Sequence, residues 1–128
     1  MENNFSDALL VEQGFRVDDR GAHIHVRLPW YRSLPMSVVE VYSLKIDDRA
    51  IPPEAISIEI NGKQLPASQL GDLVDEWWFV LDDAVLSVDV PGLPTAPRHK
   101  VELTLNLYPP YIPGLTWATQ STRLLTAQ

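Results

Sequence analysis

Eleven prolines and six glycines constrain the fold of this 128-residue chain more than any other feature. They are spread along the whole sequence and stand at the ends of short apolar segments. Because proline cannot donate a hydrogen bond to a strand ladder and both residues favour turns, this spacing is typical of many short strands. A chain of this length buries roughly two-thirds of its unfolded surface, so we expect a single domain over residues 1–128.

Alternation between apolar and polar residues marks the predicted strands. In residues 22–28 the apolar side chains occupy the even positions, and His23, His25 and Arg27 occupy the odd ones. This period of two is the pattern of a strand with one buried face and one exposed face. The dipeptide Asn61-Gly62 predicts a tight hairpin. Strands are predicted at residues 14–17, 22–28, 36–46, 56–60, 63–65, 77–81, 84–90, 101–107 and 117–125.

The remaining elements favour an all-β fold. Residues 68–74 are the only segment with a helical pattern, and Ser68 is its candidate N-cap. Since strands do not alternate with helices along the chain, a parallel sheet is disfavoured. We therefore predict an antiparallel two-sheet β-sandwich of about eight strands. In residues 36–46 the predicted core face comprises Met36, Val38, Tyr42, Leu44 and Ile46, with Glu40 as the exception.

The charge and cysteine content exclude several classes of protein. The formal net charge is −7 and the basic residues form no cluster, which argues against nucleic acid and anionic membranes as partners. The absence of cysteine excludes disulfides and thiolate metal sites. The acidic, polar N-terminus lacks the features of a signal peptide, and no apolar run reaches the roughly 20 residues that span a bilayer, so we expect a cytoplasmic protein.

Glu40 places a carboxylate on an otherwise apolar strand face. Burying it without a partner would be costly, so it needs an arginine partner, a bulge that turns it outward, or a role in chemistry. We favour a structural ion pair between Glu40 and Arg16, Arg27 or Arg32. A catalytic role would need a second acid at a defined spacing, and the sequence offers none.

His23 and His25 point to the same side of their predicted strand. Two such imidazoles could form half of a metal site of the cupin type, but the carboxylate that this pattern needs is missing and Arg27 projects beside the pair. We interpret both histidines as solvent-facing and predict no metal ligand in this chain. No nucleophile motif or phosphate-binding glycine loop is present, so no catalytic residue is predicted.

Aromatic residues are concentrated in two proline-rich loops, residues 29–35 and 108–114. The first loop displays tryptophan, tyrosine and arginine, the residue types most enriched at binding hot spots. These rings either fold back onto the protein's own core, or form a partner interface or a platform for stacking on sugars. In residues 77–78 we expect one tryptophan in the core and the other half-exposed or covered by another surface. The candidate interface or pocket rim comprises Trp30, Tyr31, Arg32, Tyr108, Tyr111 and Trp117.

Several short motifs follow one another in a defined order over about residues 15–126. The motifs are Leu28-Pro29-Trp30-Tyr31-Arg32-Ser33-Leu34-Pro35 with Ser37 and Glu40, Asp47 with Pro53-Glu54, Asn61-Gly62-Lys63, Trp77 or Trp78, Gly92-Leu93 with His99-Lys100-Val101-Glu102, and Tyr111-Ile112-Pro113. Their order resembles the small β subunit of the bacterial C-glycoside deglycosidases. Two residues or segments depart from that pattern: Asp48 stands where a turn glycine is expected, and Pro97-Arg98 replaces a glycine-containing turn.

The resemblance implies a β-sandwich that binds a larger, barrel-type α subunit. In that family the α subunit carries a divalent metal, manganese, and the acid/base histidine, so this chain itself would hold no cofactor. The complex is a lyase that cleaves the carbon–carbon bond between a 3-oxo-sugar and an aromatic aglycone, such as a flavonoid, by elimination. This chain would be the non-catalytic subunit, with no independent active site.

Two other functions stay open. A free-standing carbohydrate- or glycoside-binding module would use the same aromatic loops to bind its own ligand. A small metal-dependent barrel enzyme would use His23 and His25 as ligands.

Overall fold

The computed structural model describes residues 6–128 and the side chains from Ala8 onward. Residues 1–5, which contain part of the segment on which the signal-peptide argument rests, lie outside the described residues. In the described part of the chain, no helix is long and apolar enough to cross a membrane. The strands are β1 (Arg16–Asp18), β2 (Gly21–Arg27), β3 (Leu34–Pro35), β4 (Val39–Ile46), β5 (Arg49–Ala50), β6 (Ile56–Ile60), β7 (Lys63–Pro66), β8 (Trp77–Trp78), β9 (Asp83–Asp89), β10 (Arg98–Leu107) and β11 (Trp117–Thr126).

The strands form three antiparallel sheets, which confirms the all-β, antiparallel prediction. One sheet has the order β1-β2-β9-β6-β7, a second has the order β11-β10-β4-β5, and β3 pairs with β8 in the third. The prediction of two sheets and about eight strands is wrong in its count, because residues 6–128 contain eleven strands. The additional strands β3 and β5 are pairings of two residues each, too short to produce an alternating pattern.

One hydrophobic core contains side chains from both large sheets. In β2 the even-numbered side chains Ala22, Ile24 and Val26 are buried, whereas the odd-numbered side chains are half-buried or exposed, as the alternation predicted. The alternating leucines and valine of β10 are likewise buried. The alternating strands β2 and β10 therefore each contribute one buried face to the core, one from each large sheet.

A β-bulge in β4 changes which face of that strand meets the core. Ser43 pairs with Thr104 and Val41 pairs with Leu105, so Tyr42 has no residue opposite it. An extra residue shifts the alternation by one position. The predicted even-numbered face is therefore correct for Leu44 and Ile46, after the bulge, and wrong for Tyr42, which is 66% exposed, and for Val38, next to which Val39 is the buried residue. Met36 is buried as predicted, in the 3₁₀ turn Met36–Val38 that precedes β4.

Two other predicted elements are shorter than expected. The predicted helix at residues 68–74 is a 3₁₀ segment, Ala67–Asp72, with Pro66 at its N-cap and no side-chain cap from Ser68. The predicted strand at residues 77–81 is limited to β8, where the Trp78 ring is buried and the Trp77 ring is 42% exposed. The expectation of one tryptophan in the core is thus confirmed. The helical elements are α1 (Ser6–Leu9) and the 3₁₀ turns Met36–Val38, Pro53–Ala55 and Ala67–Asp72.

The hairpin between β4 and β5 explains one departure from the family resemblance. Asp47 and Asp48 form its two-residue loop, with φ values of 52° and 68°. Both residues are thus in the left-handed region that such turns require, and which aspartate tolerates better than most residues. The Lys100 ammonium lies 2.6 Å from the Asp48 carboxylate, and this hydrogen bond lowers the pKa of Asp48 below its ordinary value.

The same turn holds a buried histidine. Asp47 Oδ2 lies 2.6 Å from His99 Nδ1, and Asp47 Oδ1 accepts the backbone N–H of Lys100 at 2.9 Å. The ring of Phe15 packs edge-on against His99 with centroids 5.7 Å apart. Two motifs that lie about fifty residues apart in the sequence therefore meet and tie the β4–β5 hairpin to β10.

Replacing Gly21 by alanine is expected to destabilise the five-stranded sheet strongly. Gly21 has a φ of +152°, and an added Cβ would lie 1.7 Å from the carbonyl oxygen of Val88, so the backbone of β9 would have to move. We expect Gly21→Ala to lower the free energy of unfolding by about 3 kcal/mol in urea denaturation. Gly71→Ala, where no atom lies within 4 Å of the added Cβ, is the matched control and should leave stability nearly unchanged. Equal losses for both variants would contradict this account.

Candidate partner-binding surface

The two aromatic loops meet in the folded protein. Trp30 Nε1 donates a hydrogen bond to the Tyr111 hydroxyl at 2.6 Å, and the Tyr111 hydroxyl donates in turn to Tyr31 at 3.3 Å. Tyr111 lies about eighty residues after the first loop, so only the tertiary fold brings the two loops together. We call Trp30, Tyr31, Arg32, Tyr111 and Trp117 the aromatic cluster.

Ring packing completes the aromatic cluster. The centroid of Trp30 lies 5.0 Å from that of Tyr31 and 5.4 Å from that of Trp117, the latter in an edge-to-face arrangement. The guanidinium carbon of Arg32 lies 5.0 Å from the centre of the Tyr111 ring, within the range of a cation–π contact. Edge-to-face and cation–π contacts each restrict the orientation of the groups that make them. Contacts among its own members thus fix the orientations of the side chains in the aromatic cluster.

Burial divides the aromatic cluster into an anchor and an exposed surface. Trp30 is 6% exposed, whereas Tyr31 is 62% exposed and Tyr111 is 43% exposed. Arg32 is exposed and Trp117 is half-buried. Trp30 therefore packs into the protein's own core, one of the two interpretations left open by the sequence, whereas Tyr31, Arg32 and Tyr111 face outward.

The exposed tyrosine Tyr31 is chemically ordinary apart from its hydrogen bond. The hydrogen bond between the Tyr31 and Tyr111 hydroxyl groups raises the pKa of Tyr31 above its ordinary value, burial adds to this rise, and the charge of Arg32 opposes it. Tyr31 therefore stays neutral at physiological pH, and its ring and hydroxyl are available for contact rather than for proton transfer.

Tyr108 does not join the aromatic cluster but binds Glu40. Its hydroxyl donates to Glu40 Oε1 at 2.6 Å, and Asn106 Nδ2 donates to the same oxygen at 3.1 Å. The favoured ion pair is therefore a wrong prediction: among the described residues, Glu40 lies within ion-pair distance of no arginine. The prediction is wrong because Glu40 lies before the bulge and faces outward. There it is opposite Asn106 of β10.

The histidines lie in separate places. His23 and His25 are half-buried on the outer side of β2, and His99 is buried in β10 on the other large sheet. Within residues 6–128, no three His, Cys, Asp or Glu side chains are grouped as a metal ion would require. The described residues therefore do not fit a metal site.

Sequence reasoning missed two features near these residues. Asn106 carried no signal, because its role depends on the register that sets it opposite Glu40. The predicted strand at residues 77–81 extends into the turn Phe79–Asp82, although the five apolar residues from Trp77 to Leu81 cannot all lie on one buried face of a strand.

The chain is similar to curated proteins over most of its length. It matches the family described as C-glycoside deglycosidase beta subunit over residues 5–111. The C-glycoside deglycosidase beta subunit of Microbacterium trichothecenolyticum is 42% identical over 104 residues, which are 80% of this chain and 79% of that protein. The 3'-dehydrocarminate deglycosidase beta subunit of a Microbacterium species is 36% identical over 110 residues, which are 85% of this chain and 82% of that protein.

The similar proteins are named as subunits of an enzyme complex. A third, a C-glycoside deglycosidase beta subunit of Arthrobacter globiformis, is 38% identical over 104 residues, 80% of this chain and 79% of that protein. A subunit of this type implies a partner subunit. The chain belongs to the family of C-glycoside deglycosidase beta subunits, which confirms the resemblance inferred from the sequence.

Removing the Tyr111 hydroxyl is expected to loosen the aromatic cluster. Tyr111→Phe takes from Trp30 its hydrogen-bond acceptor, so we expect a loss of about 1 kcal/mol in the free energy of unfolding. Tyr31→Phe removes a mostly exposed hydroxyl and should cost less than about 0.5 kcal/mol. Chemical denaturation followed by tryptophan fluorescence measures both variants. A Tyr31→Phe loss as large as that of Tyr111→Phe would contradict the assignment of Trp30 as the anchor.

The Tyr108–Glu40 hydrogen bond is expected to give stability that is lost at alkaline pH. The bond to Glu40, with a smaller effect of burial, raises the pKa of Tyr108 above its ordinary value of 10.0. A raised pKa stabilises the folded protein below pH 10.0, and this contribution disappears as the pH rises through the folded-state value. The difference in melting temperature between wild type and Tyr108→Phe should therefore narrow above pH 10.0. A difference that is constant with pH would refute this.

Proposed function

We propose that this chain is the accessory, non-catalytic subunit of a C-glycoside deglycosidase complex, bound to a larger barrel-type α subunit. Membership of the β-subunit family supports a role within a complex. The observation that carries the proposal is the aromatic cluster, in which exposed tyrosines and an arginine stand on a buried tryptophan. Exposed side chains of these types on a rigid base are typical of binding hot spots.

The reaction proposed for the complex is an elimination from a 3-oxo-glycoside. The 3-oxo group acidifies the neighbouring C–H, and loss of that proton lets the electron pair form a carbon–carbon double bond in the sugar. The bond between sugar and aglycone breaks, and the aromatic carbon takes its electron pair and a proton. The 3'-dehydro substrate in the name of one relative supports a 3-oxo-sugar. The complex would thus be a carbon–carbon lyase, with flavonoid C-glycosides as one substrate class.

The catalytic groups are assigned to the α subunit in this proposal. A divalent metal, manganese, would act there as a Lewis acid on the substrate carbonyl. The described residues of this chain offer neither a cluster of metal ligands nor a nucleophile motif, so its contribution is binding. Tyr31 and Tyr111 would cover the partner surface with flat apolar area, and Arg32 would serve as a hydrogen-bonding or ion-pairing anchor.

A second candidate function is a free-standing glycoside-binding module. A groove of about 520 Å³ favours it, because the exposed rings of Tyr42 and Tyr108 line this groove together with the Glu40 carboxylate. Aromatic rings beside a carboxylate can stack on a sugar and accept hydrogen bonds from its hydroxyl groups. This alternative needs no partner subunit, so the two functions can be separated by experiment.

Disruption of the exposed cluster is expected to weaken the complex. The chain would be co-expressed with a candidate barrel-type α subunit and analysed by size-exclusion chromatography with light scattering. We expect co-elution at a fixed ratio, and an increase of at least about tenfold in Kd for Tyr31→Ala with Arg32→Ala. Trp30 is not the residue to change, because it is buried and its loss would disturb the fold.

The matched control changes an exposed residue and an arginine outside the cluster. Arg20→Ala with Leu124→Ala alters exposed side chains on other strands and loops, and should leave Kd unchanged. A monomeric wild-type chain that does not bind the barrel protein would refute the subunit proposal. Tryptophan fluorescence changes with a panel of sugars and flavonoid glycosides, on the isolated chain, would then favour the binding module.

A further inference from the structure

A second exposed apolar surface lies outside the aromatic cluster. Monomeric proteins normally scatter exposed apolar side chains, whereas a contiguous patch marks an interaction site. Five of the eight residues from 74 to 81 are large, apolar and substantially exposed, and Leu81 is 93% exposed. They are Val74, Trp77, Phe79, Val80 and Leu81.

The tip of this surface is a turn with unusual residues. The backbone N–H of Asp82 donates to the carbonyl of Phe79 at 2.9 Å, so Val80 and Leu81 occupy the two central positions of a four-residue turn. Such positions usually hold Gly, Pro, Asn, Asp or Ser, whose conformational preferences and polar side chains suit an exposed turn. Valine and leucine offer neither advantage, so their presence points to contact with something other than water.

Hydrogen bonds to Trp78 and Ser33 fix the backbone of the turn Phe79–Asp82. Trp78 is fully buried, and its Nε1 donates to the Asp82 carbonyl at 2.8 Å. The backbone N–H of Val80 donates to Ser33 Oγ at 2.8 Å. Because Asp82 at one end of the turn and Val80 at its centre are both hydrogen-bonded to other parts of the protein, little conformational freedom would be lost on binding.

The turn is joined to the aromatic cluster. Ser33, which binds the backbone of Val80, directly follows Arg32 in the chain, and Leu34 pairs with Trp78 in the β3–β8 ladder. The family match at residues 5–111 also includes the turn. The turn and the exposed tyrosines therefore belong to neighbouring parts of one surface, and one large partner could contact both.

Charge indicates which kind of partner fits. Asp75 lies between Val74 and Trp77, and Asp82 directly follows Leu81. Both aspartates are exposed and lie within ion-pair distance of no basic side chain in the described part of the chain. A second copy of this chain, with net charge −7, would bring the same carboxylates against them. Like charges oppose that pairing, whereas a different protein with basic residues at the rim would be attracted.

We propose that the turn Phe79–Asp82 inserts Val80 and Leu81 into an apolar pocket of the larger subunit, with lysine or arginine at the pocket rim facing Asp75 and Asp82. This inference rests on the proposed function and adds to it one contact between the subunits, the turn Phe79–Asp82. The tip residues are the apolar anchor, and the carboxylates guide association.

The test compares two exposed leucines. Leu81→Ser changes the turn, and Leu124→Ser changes a leucine of β11 that is 64% exposed. The affinity of each variant for a purified barrel-type α subunit would be measured by calorimetry, with the wild-type chain as reference, together with the melting temperature of the isolated variant. We expect Leu81→Ser to raise Kd at least tenfold with no change in melting temperature, and Leu124→Ser to change neither.

A second measurement isolates the charges. Asp75→Asn with Asp82→Asn should slow association with the barrel subunit and reduce the dependence of the association rate on salt, with a smaller effect on dissociation. Association kinetics at two salt concentrations measure this. A faster association, or an unchanged salt dependence, would contradict a basic rim.

The outcomes separate this inference from the function on which it rests. If the wild-type chain does not bind the barrel subunit, the proposed function fails and this inference fails with it. If wild type binds and Leu81→Ser binds within twofold of it, only the role of the turn is refuted. If the isolated wild-type chain forms a dimer that Leu81→Ser dissociates, the turn serves a second copy and the inference is overturned.

Discussion

The register of β10 determines where most of the informative side chains of this protein lie. β10 pairs with β11 along its whole length and with β4 from Val101 to Leu107, so most of its residues have a defined neighbour on each side. This register brings His99 to the Asp47 turn, and Asn106 to Glu40. At its end, Leu107 pairs with Trp117, which closes the second aromatic loop beside Trp30. A slip of one residue would separate all of these contacts, because the side chains of a strand alternate between faces.

The outward-facing surface combines two elements with different physical roles. In the aromatic cluster, the buried Trp30 orients the exposed Tyr31 and Tyr111 through hydrogen bonds and ring contacts. In the neighbouring turn, the buried Trp78 orients the exposed Leu81. In both cases a buried tryptophan keeps flanking apolar groups at the surface in a defined position. Such preorganisation favours binding because little order must be created when a partner arrives.

The successes and errors of sequence reasoning have a common physical cause. The alternation in residues 22–28 correctly predicted the buried face of β2, since the period of a regular strand is a local property. The same reasoning was wrong for Tyr42, because a bulge depends on how β4 pairs with β10. It was wrong for the partner of Glu40 for the same reason. The residues of the aromatic cluster were all named from the sequence, but Tyr108 proved to belong to Glu40 instead.

The sequence by itself determined the all-β class, the hairpin turns, the polar face of β2, and the family to which the chain belongs. These properties depend on residue types and spacings within short segments, so they can be read without the fold. Only the tertiary structure decided that Trp30 is an anchor and Tyr31 is exposed, that Glu40 binds neutral donors, and that Leu81 stands at the tip of a turn. Each of these depends on contacts between segments far apart in the chain, whose geometry no local pattern specifies.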